Sequence, residues 1–63
     1  MYRIIRNGKV NDFVDPFEAD NEKDAAQKAL VRLGFGFGSR ERIKKYGSIL
    51  VLHEAGYELE IVE

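Results

Sequence analysis

The dipeptide Asn7-Gly8 stands between two runs that favour β-strands, and it is the feature that most constrains the fold. Asparagine and glycine both tolerate the positive φ angles that a two-residue type I′ hairpin turn requires. The sequence therefore predicts strands over residues 2–6 and 9–14, joined by this turn. Proline cannot donate to a strand ladder, so we expect Pro16 to end the hairpin.

The turn also sets the register of the predicted hairpin. Pairs of residues that lie directly opposite each other share one face of the sheet, and aromatic pairs stabilise that face. We therefore expect Tyr2 and Phe13 to stack across the strands. The other opposed pairs are Arg6 with Lys9, Ile5 with Val10, and Ile4 with Asn11.

A helix is predicted over residues 21–33. Asp20 or Asn21 can cap it by accepting a hydrogen bond from a free N–H group of the first turn. Acidic residues in that turn suit the positive end of the helix dipole. Gly34 suits the left-handed conformation that ends many helices. The apolar residues with helical spacing are Ala25, Ala26, Ala29, Leu30 and Leu33.

A short second helix is predicted over residues 40–46, after a glycine-interrupted loop. Ser39 is a candidate N-cap, and Gly47 would end the helix. Helical spacing places Ile43 and Tyr46 on the side that faces the core.

Residues 48–53 and 57–62 are predicted to form a second hairpin, with the Ala-Gly dipeptide between them as its turn. The first run is apolar on both faces, and the second begins with the alternation of a half-buried strand. A two-residue loop pairs Leu52 with Leu59, whereas a three-residue loop with a bulge opposes Val51 to Leu59. The first register buries more apolar surface, and we favour it.

The predicted element order is β-β-α-(short α)-β-β. Two hairpins and one amphipathic helix indicate an α+β two-layer sandwich. In this architecture a four-stranded antiparallel sheet has one long helix packed on one face, and residues 1–63 form a single small domain. The expected core consists of Ile4 or Ile5, Phe13, Ala26, Leu30, Leu33, Leu50, Leu52, Leu59 and Ile61.

Charge is sorted into blocks along the chain. Residues 1–9 carry three basic side chains and no acid, and residues 11–24 carry six acids against one lysine. Residues 28–45 carry six basic side chains against one glutamate, and residues 53–63 carry four glutamates. The net charge of −1 hides this separation. Surface fields of this kind steer partners more than they set a fold, so we expect a charged partner.

Composition excludes several classes of protein. The chain has no cysteine, which excludes a disulfide framework and a thiolate metal site. No apolar run approaches the roughly 20 residues that span a membrane, so no membrane partner is expected. The N-terminal residues have strand character, so we expect no signal peptide and a cytoplasmic location.

Few residues in the chain are suited to catalysis. His53 is the one histidine, beside Glu54 and Glu58, and its simplest interpretation is a solvent-exposed residue at a hairpin end. Ser39 and Ser48 have structural explanations as a cap and a strand start. We therefore expect no catalytic residue, no metal, no cofactor and no enzymatic activity.

One segment combines aromatic and basic residues. If its phenylalanines are exposed, they can stack on bases while the cations hold phosphates. Otherwise the rings fill the end of the core and the cations form a solvated helix face. The predicted binding residues are Phe35, Phe37, Arg40, Arg42, Lys44, Lys45 and Tyr46.

Three functions are compatible with these patterns. The favoured one is a non-catalytic protein-interaction module that binds a larger protein through charged and aromatic contacts. Small inhibitors and accessory or regulatory proteins, including those that phages carry, are analogous. The alternative is a nucleic-acid-binding protein that uses the basic segment 32–46. The third is a homo-oligomer in which the open sheet face or an edge strand pairs with its copy.

Overall fold

A computed structural model of the chain describes residues 1–11, 14–35 and 40–62. Its elements are β1 (Tyr2–Arg6), β2 (Lys9–Val10), α1 (Glu22–Arg32), α2 (Arg40–Tyr46), α3 (Ser48–Glu54) and β3 (Tyr57–Ile61). Within the described residues the strands form one antiparallel sheet in the order β2-β1-β3. The α+β class is confirmed. Four strands, one long helix and one short helix were predicted, whereas the described residues form three strands and three helices.

The first hairpin forms as predicted at its turn. Both turn residues have positive φ, 53° at Asn7 and 77° at Gly8. The register is the predicted one, with Ile5 opposite Val10. Strand β2 ends at Val10 and is therefore shorter than the strand expected over residues 9–14.

Beyond the hairpin, the chain returns to the side of β1. Tyr2 and Phe17 exchange two hydrogen bonds, in which each N–H donates to the other carbonyl, at 2.8 and 2.9 Å. The β1–β2 ladder ends at Val10, so the hairpin does not extend past Pro16, and the Tyr2–Phe17 bridge is a separate pairing in another register. Proline lacks an N–H, but the next residue has one, and the buried Phe17 ring holds the chain against the sheet. The predicted partner of Tyr2, Phe13, lies outside the described residues.

Helix α1 begins where the sequence predicts, with Asn21 as its N-cap. The Asn21 Oδ1 accepts the Asp24 N–H at 2.9 Å, and Asp24 Oδ2 accepts the Asp20 N–H at 3.0 Å. The Lys28 ammonium contacts the same carboxylate at 3.1 Å. The Asp20 N–H and then Lys28 lower the pKa of Asp24, because both interactions favour the ionised carboxylate.

The end of α1 fixes the position of Phe35. Leu33 is the C-cap, and Gly34 adopts a φ of 84°. The Gly34 N–H donates to the Val31 carbonyl at 3.1 Å, and the Phe35 N–H donates to the Leu30 carbonyl at 2.9 Å. This is the Schellman pattern, which requires a left-handed residue and sets the following side chain against the last turn of the helix.

Residues 48–53 lie in helix α3, so the strand predicted there is wrong. A short apolar run without alternation suits a buried helix as well as a buried strand, and periodicity does not separate the two. Gly56, at a φ of 91°, follows the C-cap residue Ala55, and its N–H donates to the His53 carbonyl at 2.9 Å. The Ala-Gly dipeptide therefore ends a helix instead of forming a hairpin turn, and both predicted registers of Leu59 are wrong.

Strand β3 pairs with β1 instead. Tyr2 lies opposite Ile61, Ile4 opposite Leu59 and Arg6 opposite Tyr57. Strand β1 consequently occupies the centre of the sheet, with a neighbouring strand on each side. This pairing joins segments that are far apart in the sequence, and local patterns carry no direct sign of it.

The core lies between the sheet and the helices α1 and α3. Helix α1 lies closest to α3, and its small alanine side chains allow the two helices to approach each other. The buried apolar residues are Ile4, Phe17, Ala25, Ala26, Ala29, Leu30, Val51 and Leu52.

The predicted core is confirmed in part. Ile4, and not Ile5, is the fully buried isoleucine, and Ala26, Leu30 and Leu52 are buried. Leu33 and Leu59 are half-buried and pack against the core. Leu50 is 45% exposed and Ile61 is 70% exposed, so both assignments are wrong. Helical spacing turns Val51 and Leu52 inward and Leu50 outward, and Ile61 ends an edge strand.

Leu30→Ala is expected to lower the free energy of unfolding by about 2–5 kcal/mol, because this fully buried side chain would leave a cavity. Its neighbour Val31 is 70% exposed, so Val31→Ala is the matched control and should change stability by no more than about 0.5 kcal/mol. Urea denaturation followed by circular dichroism measures both variants. An unchanged midpoint for Leu30→Ala would remove Leu30 from the core.

Acid should weaken the start of α1 through Asp24. Its folded pKa lies below its unfolded pKa, so the carboxylate stabilises the fold above the unfolded pKa. That contribution is lost as pH falls through the folded pKa. The stability difference between wild type and Asp24→Asn should therefore narrow as pH falls from about 6 to about 2. Urea midpoints at several pH values test this, and a constant difference would contradict it.

Candidate binding surface

Helix α2 has the predicted bounds, Arg40–Tyr46, and contributes no buried residue. Ile43 packs against the core, as its position in the helix predicts. Tyr46 is 49% exposed and does not face inward, contrary to expectation. The Gly47 N–H donates to the Ile43 carbonyl at 2.8 Å and ends the helix, as predicted. Helix α2 is thus a short element held on the outside of the fold.

The exposed side chains of α2 include three cations and one aromatic ring, together with the acidic Glu41 and the paired Arg42. Arg40, Lys44 and Lys45 are exposed, and the Lys45 Nζ lies 5.2 Å from the centroid of the Tyr46 ring. A cation over an aromatic face is attracted by the electron-rich ring. We call the side chains of Arg40, Lys44, Lys45 and Tyr46 the α2 face.

Arg42 differs from the other cations of α2. Its guanidinium Nη2 is bonded to the Glu54 Oε2, which links α2 to α3. Both side chains are about half exposed, so the pair contributes no more than about 1 kcal/mol to stability. The charge of Arg42 is nevertheless compensated by Glu54, and Arg42 is less available to a partner than its neighbours.

Phe35 has a structural place in the fold. Its ring lies edge-on to Tyr57, with centroids 6.2 Å apart and an interplanar angle of 68°. Arg6 also contacts Tyr57, with its guanidinium carbon 5.3 Å from the centroid of the Tyr57 ring. Edge-to-face aromatic pairs of this kind stabilise packing. Phe35 therefore joins the end of α1 to the start of β3, and Phe37 lies outside the described residues.

A cleft of about 270 Å³ separates Phe35 from the ion pair between α2 and α3. Its lining includes the side chains of Val51 and Ala55, so one wall is apolar and the other is formed by Arg42 and Glu54. Phe35 and Arg42, both among the predicted binding residues, thus line the same cleft. The sequence does not indicate that each already contacts another residue of the same chain.

Two contacts of the surface are not among those that the sequence analysis predicts. The Arg3 Nη2 bonds to Glu60 Oε1 at 2.5 Å across the sheet. The Arg32 guanidinium carbon lies 4.7 Å from the centroid of the Phe17 ring. The first depends on the pairing of β1 with β3, and the second on the packing of the end of α1 against Phe17. The alternation of charged and apolar residues in β1 and β3 is the signal that could have suggested the first.

His53 is exposed, as its simplest interpretation predicted, although it lies in the last turn of a helix and not at the end of a strand. It borders a cleft of about 300 Å³ with Tyr57 and Glu58. In the ranges that the structure describes, no three metal-ligating side chains gather around one point. The Ser48 hydroxyl is buried and has no hydrogen-bond partner among the described residues. Ser39 lies outside them.

None of the helices in the described ranges combines the length and apolar character that a bilayer span requires. Comparison with protein-family models, with curated proteins and with solved structures found no match to this chain. Function is therefore argued from the surface itself.

Phe35, which precedes α2, and Tyr46, its last residue, should respond differently to truncation. Phe35→Ala should lower the free energy of unfolding by about 1–3 kcal/mol, because it removes the ring that packs on Tyr57. Tyr46→Ala, at an exposed position, should change it by no more than about 0.5 kcal/mol. Urea denaturation measures both. The opposite order would exchange the structural and surface roles assigned here.

Proposed function

We propose that this chain is a non-catalytic interaction module that binds an acidic surface of a larger protein through the α2 face. The observation that carries the proposal is the exposure of Arg40, Lys44, Lys45 and Tyr46 on one short helix that contributes no fully buried residue. Side chains that do not stabilise the fold are free to contact a partner. The role of such a module is inhibitory, accessory or regulatory.

The chemistry of the α2 face suits a protein partner. Tyrosine and arginine are enriched among the residues that dominate binding energy at interfaces. The contact with Lys45 limits the motion of the Tyr46 ring and reduces the entropy lost when a partner covers it. Arg40 and Lys44 lie one helical turn apart and present their charges together.

The two kinds of residue act on different steps of binding. Charges at the rim of an interface steer the encounter and mainly change the association rate. A central aromatic residue that becomes desolvated mainly changes the dissociation rate. Tyr46 is the proposed anchor, and Arg40, Lys44 and Lys45 are the proposed steering charges. Arg42 is excluded from that set because Glu54 already neutralises it.

Nucleic acid is the competing occupant of the same surface. The three exposed cations of the α2 face suit phosphates as well as carboxylates. A stacking platform is less well supported, because the Phe35 ring lies against Tyr57 and is half-buried. Tyr46 is the one ring of the α2 face, and Lys45 lies over it. We therefore favour a protein partner.

The double variant Arg40→Glu/Lys44→Glu should bind the partner with an association rate lower by about tenfold and a nearly unchanged dissociation rate. Tyr46→Ala should instead raise the dissociation rate by about fivefold or more. Affinity capture from the host lysate with wild type and the double variant identifies the partner that depends on the α2 face. Surface plasmon resonance then gives the rates.

Lys9→Glu/Lys23→Glu is the matched control, because it changes the net charge equally at exposed positions outside α2. It should retain the same partner. Equal losses in both double variants would point to net charge instead of the α2 face. An oligonucleotide complex that forms at low salt and is lost selectively in the α2 variant would replace the protein-partner proposal with nucleic-acid binding.

A further inference from the structure

The outer edge of β3 is open within the part of the chain that the structure describes. The sheet order places β1 on one side of β3 and no described strand on the other. Strand β3 has five residues, so it spans about 17 Å. An edge of this length offers unpaired main-chain groups to another extended chain.

The hydrogen bonds of β1 show which groups of β3 face outward. Tyr2 bonds to Phe17, and the Ile4 carbonyl accepts the Asn11 N–H at 2.9 Å. The main-chain N–H and carbonyl groups of Tyr2 and Ile4 therefore point toward the β2 side of the sheet. In an antiparallel ladder the main-chain groups of the alternate residues, Arg3 and Ile5, then point toward β3.

Their partners in β3 are Glu60 and Glu58, whose main-chain groups therefore face β1. The same alternation brings the Val62 N–H to the Met1 carbonyl at 2.8 Å. It leaves the N–H and carbonyl groups of Leu59 and Ile61 on the open edge. No bond from these outward groups is found among the described residues.

The side chains along β3 alternate between acid and apolar. Glu58 and Glu60 lie on the face away from the helices, whereas Leu59 packs against the core on the other face. Ile61 shares the face of Leu59 and is 70% exposed. A strand placed on this edge would meet carboxylates on one face and apolar side chains on the other.

Strand β1 already shows which chemistry suits β3. Its Arg3 bonds to Glu60 on one face, and its Ile4 packs opposite Leu59 on the other. Arg6 lies over the Tyr57 ring. On its occupied side β3 thus accepts a basic side chain opposite Glu60 and an apolar one opposite Leu59, whereas Glu58 lies opposite Ile5 and has no basic neighbour across that pairing.

A second copy of β3 does not meet these requirements. Antiparallel pairing of two β3 strands centred on Leu59 would set Glu58 of each directly opposite Glu60 of the other. Like charges directly opposite each other destabilise a strand pair. The acidic edge therefore opposes self-pairing while it favours a basic strand.

We propose that the outer edge of β3 binds an extended segment of a partner protein by strand addition, with basic side chains facing Glu58 and Glu60 and apolar side chains facing Leu59 and Ile61. Main-chain bonds to the open groups supply affinity, and the alternating side chains supply specificity. This site is separate from the α2 face and does not depend on the function proposed for that face.

The probe is the capped peptide Val-Lys-Val-Lys-Val, titrated to about 2 mM into ¹⁵N-labelled protein and followed by amide chemical shifts. We expect the largest shifts within Tyr57–Ile61. The charge-swapped peptide Val-Glu-Val-Glu-Val and the reordered Val-Val-Lys-Lys-Val should bind at least about fivefold more weakly, since they lose the charge match or the alternation. Glu58→Lys should weaken binding similarly, whereas Glu18→Lys, at an exposed position outside the sheet, should not.

Ile61→Pro tests the main-chain contact. It removes the outward N–H of residue 61 at an edge position that proline tolerates. Ile61→Ala loses the same side chain but keeps the N–H, and is the matched control. The proline variant should bind the peptide about fivefold more weakly than the alanine variant, because one main-chain bond is lost. Circular dichroism and the amide spectrum verify the fold of each variant.

Equal affinity of the proline and alanine variants would overturn the proposal, as would shifts centred on the acidic residues 18–24 or no shifts at all. Concentration-dependent shifts of β3 without peptide, sensitive to Ile61→Pro, would overturn it in favour of self-pairing. The β3 variants should lose the peptide and still bind the partner captured through the α2 face. The α2 variants should lose that partner and still bind the peptide, which would show that the two surfaces are distinct.

Discussion

The position of β1 at the centre of the sheet is the constraint on which the rest of the structure depends. Its two edges are filled by β2 with the Phe17 bridge on one side and by β3 on the other. Its one fully buried side chain, Ile4, lies in the same apolar cluster as α1 and α3. Because every described strand pairs with β1, a change there affects both the hairpin and the C-terminal strand.

Local signals in the sequence predicted local structure well. The turn at Asn7-Gly8, the cap at Asn21 and the helix end at Gly34 each depend on a few neighbouring residues, and all three form as expected. The bounds of α2 were also predicted, for the same reason. These features follow from backbone preferences and short-range hydrogen bonds that operate before any tertiary contact exists.

The errors concern information that is not local. The apolar run of α3 fits a strand or a helix, and only its packing against α1 decides between them. A strand predicted over 48–53 supplies residues 57–62 with an adjacent partner, so local patterns do not indicate the pairing of β3 with β1. The incorrect assignment of Leu50 and Ile61 to the core follows from these two errors.

The sequence predicts which residue types the candidate surface carries, but not which of those residues already contact another part of the chain. The sequence identified the basic and aromatic residues of 35–46, yet two of them are engaged elsewhere in the fold. Phe35 packs on Tyr57, and Arg42 is paired with Glu54. Neither contact is visible from sequence spacing, because each joins residues brought together by helix packing. Exposure in the folded chain therefore decides which of the predicted residues are free to bind.

The pairing of Tyr2 with Ile61 has a consequence for how the chain is made. The central strand is synthesised before β3, so the two pair only after the roughly 50 residues between them have also been synthesised. Pairings of such high sequence separation slow folding. During that interval Ile4 and Ile5 form an uncovered apolar segment with an open edge. Arg3 and Arg6 flank it on both sides, where charged residues oppose aggregation of the nascent chain.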